Sequence, residues 1–298
     1  MFRFRRCTRS PQIEKVWHMS SLSVLILCGK SPRHLYVVNR LCASSRPVAI
    51  VQEARGQWRP KKVLTTMRPD RLWSKAARWL RDRRRYADGA EARFFFGAEE
   101  PRLVRADLLT TVSHINRPEV VALAERLRPD VIAVFGTSLI RSALLGKGRF
   151  GVYNLHGGIS PQYRGADCTF WALYNEEPEQ VGCTLHVIDP GIDTGKLIAH
   201  IRPEVREGDD ELTLFWRAMR DSAEAYAELL ERLERGERLG QPQAEKGRLY
   251  QVKDRRWRDE RRLAERMRAG MLRGVQLPAR VRWFTTPVET PEPVRDIA

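Results

Sequence analysis

The chain has 298 residues, of which 42% are hydrophobic and 30% are charged, a balance that suits a globular protein with a substantial core. It contains no window of roughly eighteen uncharged apolar residues, so the sequence predicts no membrane span. The five cysteines form no Cys-x-x-Cys pair, which predicts a reduced, cytoplasmic protein without structural disulfides.

The chain is strongly basic, with a formal net charge of +16 and a pI near 10.2. Such a charge suits binding to nucleic acid, to anionic lipid or to phosphorylated small molecules. The arginines are spread over several predicted helices and often stand beside acids, as in residues 255–262. Because a mixed-sign helix face is ordinarily solvated, we interpret most of this charge as surface decoration, and binding of nucleic acid is not favoured.

Residues 1–20 form a basic tail without apolar periodicity, which predicts disorder. The Arg-rich, acid-poor composition is also typical of a transit-like leader, whereas a secretory signal would need an apolar core and a cleavage site. Met19 is an alternative start of the protein.

A strand–helix–strand unit follows the tail. Residues 22–28 are an apolar run that predicts a buried strand, residues 34–42 predict a helix, and residues 48–51 predict the next strand. This βαβ unit predicts an α/β fold with a doubly wound, mostly parallel, Rossmann-like sheet. Ligands bind such sheets at the carboxyl edge.

Residues 54–105 are predicted to be a helical insert. Within them, residues 71–85 form a basic helix with an apolar stripe that faces the core or, alternatively, belongs to a lid over an acidic substrate. Residues 93–97 predict a buried segment.

From residue 118 the alternation of helices and strands resumes. Helices are predicted at 118–127, from 139 to 145, at 168–175 and at 211–233, and strands at 131–135, 151–154, 182–187 and 196–201. Residues 21–236 then make one domain. Residues 237–298 are predicted to be a short basic C-terminal extension with a helix over 256–271, and with too few strands for a five-stranded barrel.

Three polar residues mark a candidate active site. Asn154 and His156 stand at i and i+2 near a strand end, so their side chains point to the same side. Gly157, Gly158, Pro161 and Gly165 then predict an irregular loop, and Asp193 lies between Gly191 and Gly195. An amide, an imidazole and a carboxylate are together sufficient for acyl transfer to an amine.

These segments resemble the folate-dependent formyltransferase family. The resemblance is carried by Asn154-Leu-His156, by the loop that ends in Pro161-Gln-Tyr-Arg-Gly165, by Gly182-Cys-Thr-Leu-His186 and by Asp193-Thr-Gly195. It is dense from about residue 129 to residue 203.

The resemblance implies transfer of a formyl group from 10-formyltetrahydrofolate, a co-substrate, to an amine. The residues that match the family's catalytic set are Asn154, His156 and Asp193. Asn154 would donate a hydrogen bond to the formyl oxygen, and His156 would donate a second hydrogen bond or a proton. Asp193 would orient the imidazole and relay protons through a water.

The resemblance also implies where the folate binds. One segment contains Gly136, Ser138, Leu139 and Ile140, and the second contains Ile188 and Asp189. Backbone groups would read the pteridine edge, and apolar side chains would form the walls. For Leu139 and Ile140, packing in the core is the alternative.

Three residues are candidate substrate ligands. Lys30 stands in Gly29-Lys-Ser31, where some relatives have a glycine-rich phosphate loop, and it either meets an anion or lies in a surface turn. Tyr163 and Arg164 end the active-site loop, and Arg164 either faces an anionic substrate or braces the loop. Relatives commonly have Ser-Leu-Leu-Pro where this chain has Gly158-Ile-Ser-Pro161, but the loop length is kept and the turn is expected to survive.

The other histidines receive no catalytic role. His186 matches a family position and is treated as supporting, and no function is assigned to His18, His34, His114 or His200. No His-x-His, Cys-x-x-Cys or His-Glu-x-x-His spacing occurs, so no metal site is predicted.

The leading functional hypothesis is N-formylation of a primary amine on a small molecule, with a nucleotide-linked amino sugar as one candidate. Methionyl-tRNA is an alternative acceptor, which the high charge favours and the lack of a predicted barrel disfavours. Hydrolysis of the formyl donor is a third option, but relatives with that activity carry an additional amino-terminal domain. A non-catalytic, nucleic-acid-binding protein on the same scaffold is the non-enzymatic alternative.

Overall fold

The computed structural model describes residues 20–54, 89–141 and 143–286. The basic tail up to residue 19 and the predicted helix at 71–85 lie outside these residues. The described part of the chain forms an eight-stranded central sheet with helices, and a second, two-stranded sheet.

The described residues contain ten strands and six α-helices. The strands are β1 (Ser23–Cys28), β2 (Arg46–Glu53), β3 (Leu109–Val112), β4 (Val131–Phe135), β5 (Gly151–His156), β6 (Tyr163–Gly165), β7 (Cys183–Val187), β8 (Leu197–Arg202), β9 (Arg248–Tyr250) and β10 (Arg280–Trp283). The helices are α1 (Pro32–Ser44), α2 (Ala90–Phe96), α3 (Pro118–Leu127), α4 (Cys168–Tyr174), α5 (Glu211–Glu234) and α6 (Trp257–Arg268).

The central sheet has the order β10-β8-β7-β5-β4-β1-β2-β3. Five neighbouring strands of the sheet, β5, β4, β1, β2 and β3, run parallel. The strands β7, β8 and β10 each pair antiparallel with their neighbours. The prediction of a doubly wound, mostly parallel sheet is therefore confirmed. The chain reverses its direction of winding between β1 and β4, which is where such folds bind their ligands.

Strand β1 explains why the sheet is covered on both faces. Every one of its side chains is buried, and they alternate between two clusters. Val24, Ile26 and Cys28 share one cluster with residues of α1 and α5, whereas Leu25 and Leu27 share the other with residues of α3. Alternation with period 2 sends successive side chains to opposite faces, so a strand with helices on both sides must be continuously apolar. Burial of each of these apolar side chains contributes about 1.5–3 kcal/mol to the stability of the fold, relative to an exposed side chain.

A buried tyrosine of α5 stabilises the strand ends near the candidate site. The Tyr226 hydroxyl donates to the carbonyl of Tyr153 at 2.7 Å and accepts from the amide of Val134 at 3.0 Å. This hydroxyl satisfies two backbone groups between β4 and β5, where leaving them unpaired would cost free energy. Helix α5 thus fixes the strand that carries Asn154.

The C-terminal extension contains two strands that were not predicted. Strand β10 pairs with β8 at the edge of the central sheet, and β9 pairs with β6 beside the active-site loop. The predicted helix is present as α6. The short strands lack a clear alternating pattern, and they form because β6 and β8 offer free edges for pairing.

The helix predicted from 139 to 145 is wrong. Residues 143–146 form a turn instead, and Gly146 has a positive φ of 76°. The carbonyl of Leu139 and the amide of Arg141 are bound by the side chain of Asn116, at 2.8 and 2.7 Å. Since those backbone groups are engaged, they are withheld from a helix.

Residues 93–97, predicted to be a buried segment, belong mainly to α2, in which Phe95 is buried and Phe94 and Phe96 are half-buried. Across the described ranges, no helix combines the length and the apolar composition needed to cross a membrane. The same ranges contain no cluster of three or more His, Cys, Asp or Glu side chains suited to hold a metal ion.

Candidate active site

Strand pairing brings the first polar residues of the site together. Asn154 and His156 project to the same side of β5, and Asn154 lies directly opposite His186 of the antiparallel strand β7. Directly opposed residues of such strands point to the same face. One face of the β5–β7 pair therefore carries an amide and two imidazoles.

Asp193 completes the cluster. Its Oδ2 lies 3.3 Å from Nδ1 of His156, and its Oδ1 lies 3.4 Å from Nε2 of His186. Oδ2 also accepts a hydrogen bond of 2.9 Å from the amide of Gly165. The three residues predicted from the sequence thus lie together, and His186, predicted only as supporting, contacts two of them.

His156 lies between two acceptors. Its Nδ1 faces the carboxylate of Asp193, and its Nε2 is 3.0 Å from the carbonyl oxygen of Tyr163. A neutral imidazole can donate from only one nitrogen, whereas the imidazolium donates from both. The hydrogen-bonding geometry therefore favours the protonated ring.

Burial opposes that protonation. The largest influence on the pKa of His156 is burial of the ring, which lowers it. The nearby negative charge of Asp193 partly offsets this effect. For Asp193, burial alone would raise the pKa, but His156, His186 and the Gly165 amide outweigh it and hold the pKa well below its usual range. A permanent carboxylate thus lies beside an imidazole that can gain and lose a proton.

His186 also orients the amide of Asn154. Nδ1 of His186 lies 2.8 Å from the carbonyl of Val187, so this nitrogen carries a proton. Nε2 lies 3.1 Å from Nδ2 of Asn154 and 3.4 Å from Oδ1 of Asp193, so it accepts from the amide when the ring is neutral and donates to the carboxylate when the ring is protonated. With the neutral ring, this contact uses one N–H of Asn154 and leaves the second for a ligand.

The cluster lines a cavity of about 370 Å³. It lies at the carboxyl ends of β1 and β4, where the winding of the sheet reverses. The lining includes the predicted residues Gly136, Ser138, Leu139, Ile140, Asn154, His156, Ile188 and Asp193, together with Arg33, His34, His186 and Phe215. The cavity thus combines apolar and polar side chains, the usual composition of a small-molecule site.

His34 shapes the first wall of this cavity. A Cβ at Gly136, where φ is 72°, would lie 2.1 Å from Nε2 of His34, and a Cβ at Gly29 would lie 2.5 Å from Nδ1. Burial lowers the pKa of His34 to about 3, and Nδ1 accepts from the Ser31 amide. His34 is thus a neutral ring that requires glycine at both positions, a role that the sequence analysis missed.

Two side chains hold the segment that contains Ser138, Leu139 and Ile140. The buried carboxylate of Glu53 accepts from the amides of Ser138 at 2.6 Å and Ile115 at 3.0 Å. Asn116 binds the backbone on the other side of Leu139, as described above. The segment is irregular but fully anchored. The sequence signal that could have identified Glu53 is an acid at the end of an apolar strand.

Leu139 and Ile140 differ in exposure although both line the cavity. The Leu139 side chain is 53% exposed, whereas Ile140 is 5% exposed and packs in the core. An exposed leucine that lines a cavity is available to a ligand. Packing in the core was the alternative interpretation of both residues, and it describes Ile140 but not Leu139.

The side chains of Ile188 and Asp189 have different roles in the structure. Ile188 lines the cavity, but Asp189 does not. The Asp189 carboxylate instead accepts from the Gly191 amide at 3.1 Å and the Thr194 hydroxyl at 2.7 Å. The side chain of Asp189 therefore closes the turn that leads to Asp193.

The three predicted substrate ligands are not among the residues that line the cavity. Lys30 is exposed in a surface bend. The Tyr163 hydroxyl donates to Glu177 and accepts from Asn175. Lys30 therefore has the position of its alternative, a surface turn, and the Tyr163 hydroxyl is engaged in internal hydrogen bonds, so a substrate-binding role for either residue stays a prediction.

Arg164 braces the loop, which was its alternative interpretation. Its guanidinium donates to the carbonyl of Ile192 at 3.3 Å and to that of Gly247 at 2.8 Å. The side chain thus joins the loop that carries Asp193 to the C-terminal extension and does not face the cavity.

The departure at Gly158-Ile-Ser-Pro161 leaves a tightly bound loop. The Thr184 hydroxyl donates to the carbonyl of Gly158 at 2.7 Å and accepts from the Ser160 amide at 2.9 Å. A Cβ at Gly158 would lie 2.6 Å from that of Cys168. In this chain the glycine is required because Cys168 packs against it.

Cys168 is a buried thiol behind His156. Its Sγ lies 3.6 Å from Nε2 of His156, and burial raises its pKa well above the usual range. It therefore stays protonated and is unsuited to act as a nucleophile. All four described cysteines (Cys28, Cys42, Cys168 and Cys183) are buried and free.

The protein is thus an α/β protein whose doubly wound sheet carries an Asn–His–Asp cluster at its switch point. Residues 79–230, just over half of the chain, match the model of the formyl transferase family. The chain belongs to this family, as the sequence resemblance predicted.

Sequence relatives align with part of the chain. The chain is 31% identical over 136 residues to the methionyl-tRNA formyltransferase of Caldanaerobacter subterraneus subsp. tengcongensis, which covers 45% of this chain and 44% of that protein. The aligned part therefore spans less than half the length of this relative.

Two solved structures are similar in fold. A sugar N-formyltransferase from a Shewanella species has a TM-score of 0.51 at 16% identity, with 90% of this chain and 99% of that chain covered. A phosphoribosylglycinamide formyltransferase from Anaplasma phagocytophilum has a TM-score of 0.50 at 13% identity, with 78% of this chain and 98% of that chain covered.

Proposed function

We propose that this protein is an enzyme that transfers the formyl group of 10-formyltetrahydrofolate to a primary amine of a small molecule. The observation that carries the proposal is the convergence of Asn154, His156 and Asp193 on one cavity, with 3.3 Å between the carboxylate and the imidazole. Membership of the formyl transferase family supports it.

The residues of the cavity fit a folate-type formyl donor. The backbone from Gly136 to Arg141 is irregular and anchored, so its remaining polar groups can bind the edge of a heterocycle. Leu139, Ile140 and Ile188 provide apolar surface for a flat ring. When bound, this co-substrate supplies the activated formyl carbon.

The side chains divide the reaction between them. As the amine attacks, Asn154 donates its free N–H to the oxygen on which negative charge grows, and the His156 imidazolium adds positive charge nearby. Asp193 stabilises the charged form of that ring and orients a water that relays the amine proton. His156 can protonate the departing nitrogen, because it can gain and lose a proton: burial lowers the pKa of the ring and Asp193 raises it.

A nucleotide-linked amino sugar is our candidate acceptor. Support comes from the fold of the Shewanella sugar N-formyltransferase, which covers nearly all of both chains. Four free, buried cysteines support a reduced compartment such as the cytoplasm.

Methionyl-tRNA is a second candidate acceptor. It is favoured by the 31% identity to a methionyl-tRNA formyltransferase and by the net charge of +16. A polyanionic acceptor predicts a rate that falls steeply with salt, whereas a small acceptor does not.

The test is a direct assay. The protein is incubated with 10-formyltetrahydrofolate and a panel of amines that contains nucleotide amino sugars and methionyl-tRNA, and release of tetrahydrofolate is followed. We expect Asn154→Ala, His156→Ala and Asp193→Asn each to lose about 10²-fold or more of the turnover, because each removes a group that acts on the transition state.

Asp107→Asn is the matched control for the carboxylate, since the Asp107 side chain is 59% exposed and pairs with Arg105, two residues before it. It should keep full turnover. Wild-type turnover in all three site variants would refute the assigned roles, and tight retention of RNA without formyl transfer would favour the non-catalytic alternative.

A further inference from the structure

We propose that Gln243 of the C-terminal extension is a positioning residue that holds the loop of Asp193 in its active geometry. The inference rests on the proposed formyl transfer, and it assigns a role to a part of the chain that lies beyond the residues matched by the family.

The loop that carries Asp193 needs outside support. Asp193 has a φ of 51°, in the left-handed region that non-glycine residues seldom adopt. Its carboxylate must reach His156 and His186 from this position. A small relaxation of the backbone would therefore withdraw the carboxylate from both rings.

Gln243 supplies that support. Its Nε2 donates to the carbonyl of Asp193 at 3.0 Å and to that of Gly195 at 2.8 Å, so both amide hydrogens are used on this loop. The two bonds bracket Thr194 and fix the direction of the peptide planes on either side of it. Without them, the two carbonyl groups would be released and the strained residue would be free to relax.

The extension is itself held firmly at this point. Gln241 forms a pair of backbone hydrogen bonds with Leu197, at 2.8 and 2.9 Å. Gly247 packs so closely on the active-site loop that a Cβ there would lie 1.5 Å from the carbonyl oxygen of Pro161. Arg164 adds a hydrogen bond to Gly247. Gln243 therefore acts from a fixed base between these attachments.

The expected signature is a change in the proton chemistry of His156. The ring is faced by Asp193 from the loop before β8, by His186 of β7, by Arg164 of β6 and by the Cys168 thiol of α4. Of these groups, only Asp193 carries a negative charge. If the loop relaxes, this carboxylate recedes, and the pKa of His156 falls because burial and the Arg164 guanidinium are less opposed.

Gln243→Met tests the inference, because methionine has a similar length but no donor. We expect kcat to fall roughly tenfold to a hundredfold, as misplacement of a catalytic group does, with little change in KM. The limb of the pH–rate profile that reports the imidazolium should move to lower pH. Gln243→Asn, which is too short to span both carbonyls, should behave in the same way.

Gln241→Met is the matched control. Gln241 is exposed on the same segment and takes part through its backbone, so this variant should retain the wild-type kcat and pH profile. A folded Gln243→Met protein with wild-type kcat and an unmoved pH limb would overturn the inference, as would an equal loss in Gln241→Met.

NMR titration of the His156 imidazole in the free protein separates this inference from the proposed function. A lower pKa in Gln243→Met supports the positioning role even if no amine is formylated, a result that would reject the function alone. An unchanged pKa rejects the positioning role whether or not the wild-type enzyme is active.

Discussion

Replacing Arg255 by methionine should destabilise the whole protein, because this buried cation joins the C-terminal extension to the rest of the fold. The Arg255 side chain is 2% exposed. Its guanidinium binds Asp167 before α4, Glu211 at the start of α5 and Glu260 of α6, with N–O distances of 3.1, 2.9 and 2.9 Å. It also lies 3.8 Å from the centre of the Phe170 ring.

The magnitude follows from what remains when the charge is removed. Methionine keeps most of the apolar contact but removes the cation that lies between three carboxylates, none of which is more than 26% exposed. Removing one partner of a buried ion pair typically costs about 3–5 kcal/mol, and the loss of the contact with Phe170 adds about 1 kcal/mol. We therefore expect the free energy of unfolding to fall by about 4–6 kcal/mol.

Urea denaturation, followed by tryptophan fluorescence and by circular dichroism, measures this change. Arg258→Met is the matched control, because the Arg258 side chain is 74% exposed and lies 3.7 Å from Asp259. It should cost no more than about 1 kcal/mol. Equal stabilities of the Arg255→Met and Arg258→Met proteins would refute the reasoning.

Two further predictions concern buried titratable groups. Glu53→Gln removes one of two acceptors for the Ser138 and Ile115 amides, so we expect a loss of about 2 kcal/mol of stability and about tenfold weaker binding of tetrahydrofolate by calorimetry. His200→Gln should flatten the dependence of stability on pH. Burial lowers the pKa of His200 to about 4, and the unfolded value is about 6.5. Its contribution is therefore complete above about pH 6.5 and is lost as the pH falls towards 4, by about 3 kcal/mol.

The controls use exposed residues of the same type. Glu119→Gln, in the first turn of α3, should bind tetrahydrofolate as the wild type does, and equal binding by Glu53→Gln would contradict the anchoring role of Glu53. For His200, unfolding free energies are compared at pH 7 and pH 4.5. Identical losses in the wild type and in His200→Gln would show that His200 is not the group that titrates, and His114→Gln, at an exposed position, should change nothing.

Much of the fold and part of the site could be predicted because the signals are local. The apolar runs of β1 and β4 require strands covered on both faces, and the alternation within them decides which side chain meets which helix. In the same way, the spacing of Asn154 and His156 fixes their common direction along β5. These features depend on neighbours in the chain, so the sequence alone contained them.

The rest was decided by contacts between distant segments. No local pattern shows that Asp193 reaches His156, that His186 lies opposite Asn154, or that Gln243 binds the loop of Asp193. These contacts depend on strand register and on the free edges of β6 and β8, where the extension adds strands. A side-chain hydrogen bond to a backbone carbonyl leaves no periodicity in the sequence, since any donor of suitable length can make it. The sequence therefore determined which polar residues the site contains, and only the tertiary structure decided which of them contact one another, because those contacts join segments that are distant in the chain.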